Sequence, residues 1–82
     1  PSVYILLSEK TNKYYTGSSH EDAAITRLKA HNAGKVRSTK SGCPWKLLHE
    51  EYLSDYTTAR QRENFLKSGK GREWVKINFP KK

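Results

Sequence analysis

The sequence predicts an α+β fold of three short strands and three helices in the order ββαβαα, and three observations carry that expectation. Val3-Tyr4-Ile5-Leu6-Leu7, the polar turn Glu9–Lys13 and Tyr14-Tyr15-Thr16-Gly17 read together as a β-hairpin. Two later segments space their apolar residues at helical intervals. Finally, 82 residues make one domain, 1–82, with no room for a second core. A chain of this length buries only about 60% of its unfolded surface. With 34% hydrophobic residues, nearly all the large side chains must pack, and the two Trp, five Tyr and two Phe supply much of the core.

The hairpin comes first. If its register pairs residues whose numbers sum to an odd value, Tyr4 and Tyr15 project from one face. Such a hydroxyl pair is either a packing choice or a site. Ser18-Ser19 with Asp22 forms a weak capping box for a helix over about 21–32, which Gly34 ends as the C′ residue. Ala24, Leu28 and His31 share one face of it with Arg27, and Ile25 widens the apolar stripe. Arg27 and His31 therefore sit at the edge of the buried face.

Lys35 to Lys46 is a polar loop, long for a connection in so small a domain and punctuated by Gly42 and Pro44. Lys46 to Leu53 reads as the third strand, with Trp45, Leu47 and Tyr52 among its packing residues. Asp55 or Thr57 caps a second helix running to about Ser68, on which Ala59, Arg62, Glu63 and Leu66 share a face. Gly69 and Gly71 then break the chain before a last short helix over Arg72–Phe79. Gly69-Lys70-Gly71 lacks the spacing of a phosphate-binding loop and reads as a turn with incidental charge.

Sixteen Lys and Arg face eight acids, a net charge of +8 that favours a polyanionic partner, nucleic acid ahead of a membrane surface. The excess is concentrated. Residues 35–47 hold four cations and no acid, and residues 65–82 hold six cations and one acid. Lys35, Arg37, Lys40, Lys46, Lys67, Lys70 and Arg72 are accordingly the candidate nucleic-acid contacts. No apolar stretch spans a bilayer and no signal peptide is visible. The single Cys43 forms neither an internal disulfide nor a zinc cluster, and a cytoplasmic setting is expected. The chain opens at Pro1 without methionine, which implies a processed or trimmed terminus.

Four elements place a polar group beside apolar neighbours: Tyr4, Tyr15, the Arg27/His31 pair and Glu63. Each has a plain structural alternative. The tyrosines serve as core aromatics, Arg27 as a salt bridge to Glu21, Asp22 or Asp55, and His31 as a cation at a helix C-terminus. Glu63 serves as a surface acid paired with Lys67 one turn on. Yet a carboxylate between Ala59 and Leu66 is costly to bury without a cation. Two phenols, a guanidinium, an imidazole and a carboxylate on a basic domain are also the parts of a one-metal phosphodiester hydrolase.

Ser2-Val3-Tyr4 followed by Tyr15-Thr16-Gly17 resembles the paired motif that names the GIY-YIG nucleases. Arg27-Leu28-Lys29-Ala30-His31 resembles the family's Arg-x-x-x-His pattern. The run from Lys35 to Trp45, and Ala59-Arg60-Gln61-Arg62-Glu63 with Leu66-Lys67-Ser68-Gly69, are similar to the small stand-alone bacterial members. The resemblance extends to the N-terminal catalytic domain of the excinuclease C subunit. Ser2 and Thr16 depart from the pattern, as does Ser18, where excinuclease C-type domains tend to carry lysine.

The resemblance implies a three-stranded antiparallel sheet flanked by helices, and metal-dependent endonuclease cleavage of DNA, with branched or damaged DNA among the substrates. It implies Glu63 as the sole protein ligand of one Mg²⁺ or Mn²⁺, an ion suited to phosphate chemistry. Tyr15 becomes the general base, with Tyr4 as its companion. A free tyrosine is ionised to only about one part in a thousand at pH 7, so the charge of Arg27 and the metal must assist. Arg27 also holds the scissile phosphate, and His31 orients it or relays a proton. No small-molecule cofactor is implied, and targeting falls to a partner protein, to substrate shape or to oligomerisation. The alternative is a catalytically weak or silent nucleic-acid-binding module of the same fold. A small basic protein that binds other proteins is a third reading.

Overall fold

A computed structural model describes residues 1–81. It contains β1 (Ser2–Ser8), β2 (Tyr14–Ser19), α1 (Ala24–Asn32), a 3₁₀ helix (Arg37–Gly42), β3 (Trp45–Tyr52), α2 (Tyr56–Lys67) and α3 (Gly69–Asn78). The strands form one antiparallel sheet in the order β2-β1-β3. This is the α+β architecture expected from the sequence.

Strand β1 is apolar at nearly every position because it is the central strand with both faces covered. All seven of its residues are buried. Val3 and Ile5 pack with Ala59, Leu66 and Val75 of α2 and α3 on one face. Tyr4 and Leu6 pack with Ala24 of α1 and with Trp45 on the other. A bulge between Ile5 and Leu6 shifts the β1–β3 pairing by one residue. Leu48 and the adjacent His49 consequently both contact the α3 side.

Several local signals act as the sequence suggested. Asp55 rather than Thr57 is the N-cap of α2, its carboxylate accepting from the Thr58 N–H. Gly34 ends α1 at φ +74, with its N–H on the His31 carbonyl and the Lys35 N–H on the Ala30 carbonyl, a Schellman pair.

Other expectations are corrected. Helix α1 starts at Ala24, not near residue 21, because Ser18 and Ser19 are used as strand, pairing with Val3 and Ser2. The Ala24 N–H is met instead by the Glu50 carboxylate from β3. Ile25 is 48% exposed and Tyr52 63% exposed, so neither packs in the core. Part of the loop 35–46 is wound into the 3₁₀ helix, buried at Thr39 and Gly42.

Gly69 and Gly71 lie inside α3 rather than before it. The break falls at Ser68, which ends α2 and caps α3 through its hydroxyl on the Gly71 N–H. Glycine is required at 71, since a Cβ there would lie 2.0 Å from the Phe65 carbonyl oxygen. No helix among the described residues is long and apolar enough to cross a membrane.

Candidate active site

The β1–β2 register pairs Tyr4 with Gly17 and Leu6 with Tyr15. Both pairs sum to an odd number, and the two tyrosines share the face that α1 covers, with ring centroids 6.5 Å apart. Gly17 lies beneath the Tyr4 phenol, where a Cβ would stand 2.6 Å from its oxygen. The strand thus gives up a side chain at 17 to admit the ring.

Tyr4 is 1% exposed, and His31, on the inner face of α1, is wholly buried. A three-member chain of hydrogen bonds fixes them. The Thr39 hydroxyl donates to the Val36 carbonyl at 3.3 Å, which leaves its oxygen to accept from His31 Nδ1–H at 2.7 Å. His31 Nε2 then carries the lone pair and accepts from the Tyr4 hydroxyl at 3.0 Å. Burial, reinforced by the Arg27 charge, holds the imidazole below its ordinary pKa and therefore neutral. Burial and these partners favour the neutral ring over a charged histidine at the helix C-terminus.

Burial also raises the Tyr4 pKa, against an opposing hydrogen bond from the Arg27 guanidinium and aided by the negative charge of Glu63. Arg27, half-buried, gains charge stability chiefly from Tyr4 and also faces Tyr15. It makes no ion pair with Glu21, Asp22 or Asp55 among the described residues.

Glu63 approaches from the opposite face of the sheet. Helix α2 packs against Val3 and Ile5, and Ser18 points to that side. The carboxylate reaches the free edge of β2, where the Ser18 hydroxyl donates to Oε1 and the Lys67 ammonium sits 2.6 Å from Oε2. Arg60 stands 3.6 Å from Oε1. Glu63 is nonetheless 9% exposed. Burial works against its ionisation, but the Lys67 and Ser18 hydrogen bonds prevail and keep the carboxyl below its usual range. The surface-pair alternative is thus half correct: the partner is Lys67, but the carboxylate is buried.

Four of the five candidate residues, Tyr4, Tyr15, Arg27 and His31, cluster on the α1 face of the sheet, and Glu63 lies on the α2 face, bonded to Ser18 of β2. Their access differs. Tyr15 is half-buried and lines two cavities, of about 510 and 280 Å³, whereas Tyr4 and His31 are sealed beneath the surface. His31 is sealed behind Tyr4 and the half-buried Tyr15, whose ring centroid lies 5.0 Å away, which argues against direct contact with a phosphate.

The candidate cations divide. Lys67 and Arg72 line the larger cavity. Lys35, Arg37, Lys40, Lys46 and Lys70 line neither cavity; Lys46 is half-buried and the others are exposed. The sequence reading assigned no role to Lys13, Lys76 and Lys81, which complete the larger cavity, or to Ser18 as the anchor of Glu63. Only Lys76, one turn from Arg72, carried a local signal.

Among the described residues no three His, Cys, Asp or Glu side chains converge as a metal cage. A single ionised carboxylate with a hydroxyl-anchored oxygen suits a hard cation that keeps most of its water, as Mg²⁺ does.

The family model of the GIY-YIG catalytic domain matches residues 1–78. No curated protein and no solved structure matches the chain.

Proposed function

The chain belongs to the GIY-YIG catalytic domain family, and on that premise we propose that it is a metal-dependent endonuclease hydrolysing DNA phosphodiester bonds. One observation carries the reading: Tyr4, Tyr15 and Arg27 cluster on one face of the sheet, with Tyr4 held by a neutral His31, and Glu63 reaches Ser18 of the neighbouring strand from the other face.

Tyr15, the accessible phenol, takes the proton from the attacking water. Tyr4 cannot substitute readily, because burial raises its pKa and its proton is committed to His31. It orients the site, and its hydrogen bond to Nε2 offers a path for a proton. Arg27 binds the scissile phosphate and balances the charge that builds on it. Glu63 would hold Mg²⁺ or Mn²⁺, which supplies Lewis-acid stabilisation of the phosphate and leaving oxygen. Branched or damaged DNA as substrate, a recruiting partner protein and a role in bacterial repair like that of excinuclease C belong to the same proposal.

The silent nucleic-acid-binding module is the second reading, favoured by Lys67, whose ammonium already neutralises Glu63. Incubation of the protein with plasmid and branched DNA in Mg²⁺ or Mn²⁺ decides between them. The nuclease reading requires products that fall at least about a hundredfold in Glu63→Ala and Arg27→Ala. Salt-sensitive DNA binding without any metal-dependent product favours the silent module.

A further inference from the structure

The larger cavity, about 510 Å³, lies between the start of β2 and the α2–α3 corner. Lys13, Lys67, Arg72, Lys76 and Lys81 line it, and no carboxylate does. They come from the hairpin turn, the end of α2, two successive turns of α3 and the C-terminal segment. Only the fold brings them together. Lys13, Arg72, Lys76 and Lys81 make no ion pair among the described residues. Lys67 bonds to Glu63, which joins the cavity to the candidate active site.

Like charges gathered within roughly a Debye length, about 8 Å at physiological salt, repel one another. The arrangement therefore favours an anionic occupant. All five cations are exposed, and no buried donor converges on a single point. A discrete small anion needs such a buried donor set, whereas a polyanion is bound by dispersed, solvated charges. The wall is partly aromatic: Tyr14 donates to the Phe79 carbonyl, and the Lys81 ammonium lies 4.8 Å from its ring centroid.

We propose that this groove seats the phosphodiester backbone of the DNA strand on one side of the cleaved bond. The strand passes from the Glu63 edge, past Tyr15 and Lys67, along Arg72 and Lys76. Cleavage then requires the strand to continue beyond the scissile phosphate on that side. The inference rests on the nuclease reading for the position of the cut, but strand seating is measurable without cleavage.

The experiment is fluorescence anisotropy of a labelled DNA duplex with the protein in EDTA, over a series of NaCl concentrations. Lys76→Gln/Lys81→Gln is expected to reduce the slope of log affinity against log salt by about 1.8, or about 0.9 for each lost phosphate contact. Lys10→Gln/Lys29→Gln removes the same charge outside the groove and is expected to leave the slope nearly unchanged. Equal changes in both pairs, or none in the groove pair, overturn the proposal. Loss of slope without metal-dependent cleavage by the parent protein supports the groove and overturns the nuclease reading. Cleavage lost in Glu63→Ala, alongside an unchanged slope in the groove variant, does the reverse.

Discussion

The Lys67 ammonium lies 2.6 Å from Glu63 Oε2, one turn further along α2. The other carboxylate oxygen accepts from the Ser18 hydroxyl. A divalent cation at Glu63 would meet Oε1 bonded to the Ser18 hydroxyl with Arg60 3.6 Å away, and Oε2 held by an ammonium whose side chain is 50% exposed. Direct coordination of Oε2 would have to displace that ammonium. Lys67, which lines the groove while bonded to Glu63, would thereby compete with the metal for the carboxylate.

Lys67→Met is therefore expected to bind Mn²⁺ more tightly. A half-exposed pair contributes up to about 1 kcal/mol, so the gain is roughly two- to fivefold. Titration calorimetry or the spin-resonance signal of free Mn²⁺ measures it. Unchanged or weaker Mn²⁺ binding removes the competition. Weaker DNA affinity should accompany the gain.

The two phenols should respond unequally to loss of their hydroxyls. Tyr15→Phe is expected to lower the single-turnover cleavage rate by about 10²–10⁴, the usual span of general-base catalysis. Tyr4→Phe should cost less in rate and more in stability, since it leaves His31 Nε2 buried without a donor. The reverse ranking would exchange their roles.

Gly17→Ala places a methyl 2.6 Å from the Tyr4 oxygen, and a phenol only 1% exposed has nowhere to move. Urea unfolding should show a loss of about 1–3 kcal/mol from overpacking. The Tyr4–His31 bond should loosen, so cleavage measured on fully folded protein falls as well. Unaltered stability would mean that the ring is not held over Gly17.

His31 should make folding sensitive to mild acid. Its folded pKa lies below the ordinary value of 6.5, so the unfolded chain takes up a proton first. The stabilisation is complete above about 6.5 and is lost as the pH falls towards the lower folded pKa. Glu51 and Glu63 are depressed as well. Burial opposes the Glu51 charge, but the Arg62 and His49 bonds prevail, and Lys67 and Ser18 do the same for Glu63. Their contribution is lost only further down, as the pH falls below the ordinary 4.5. Urea midpoints from pH 7 to 5 should fall for the parent protein and stay flatter in His31→Gln.

Legibility in the sequence followed the range of the interactions. The hairpin, the Asp55 cap and the Gly34 stop depend on neighbours a few residues away, and they were readable. Ser19 looked like a helix cap but is held as strand by Ser2, a partner seventeen positions earlier that outweighs the local preference. Gly71 looked like a helix breaker because the Phe65 carbonyl that crowds it belongs to the preceding helix. Glu63 was identifiable as a buried acid from Ala59 and Leu66, whereas its approach from the opposite face of the sheet was not. Lys13 and Lys81 carry no periodic signal, and only the closed fold brings them beside Arg72.

Ser68 closes one helix and opens the next with no linker residue between them. The corner therefore works as a fixed gauge between two charges, Glu63 before it and Arg72 after it. One inserted residue would turn α3 by about 100° about its axis, swinging Arg72 and Lys76 off the groove while Glu63 stayed in place. A chain lengthened at this point would keep the Glu63 carboxylate in place and lose two of the five cations that line the groove.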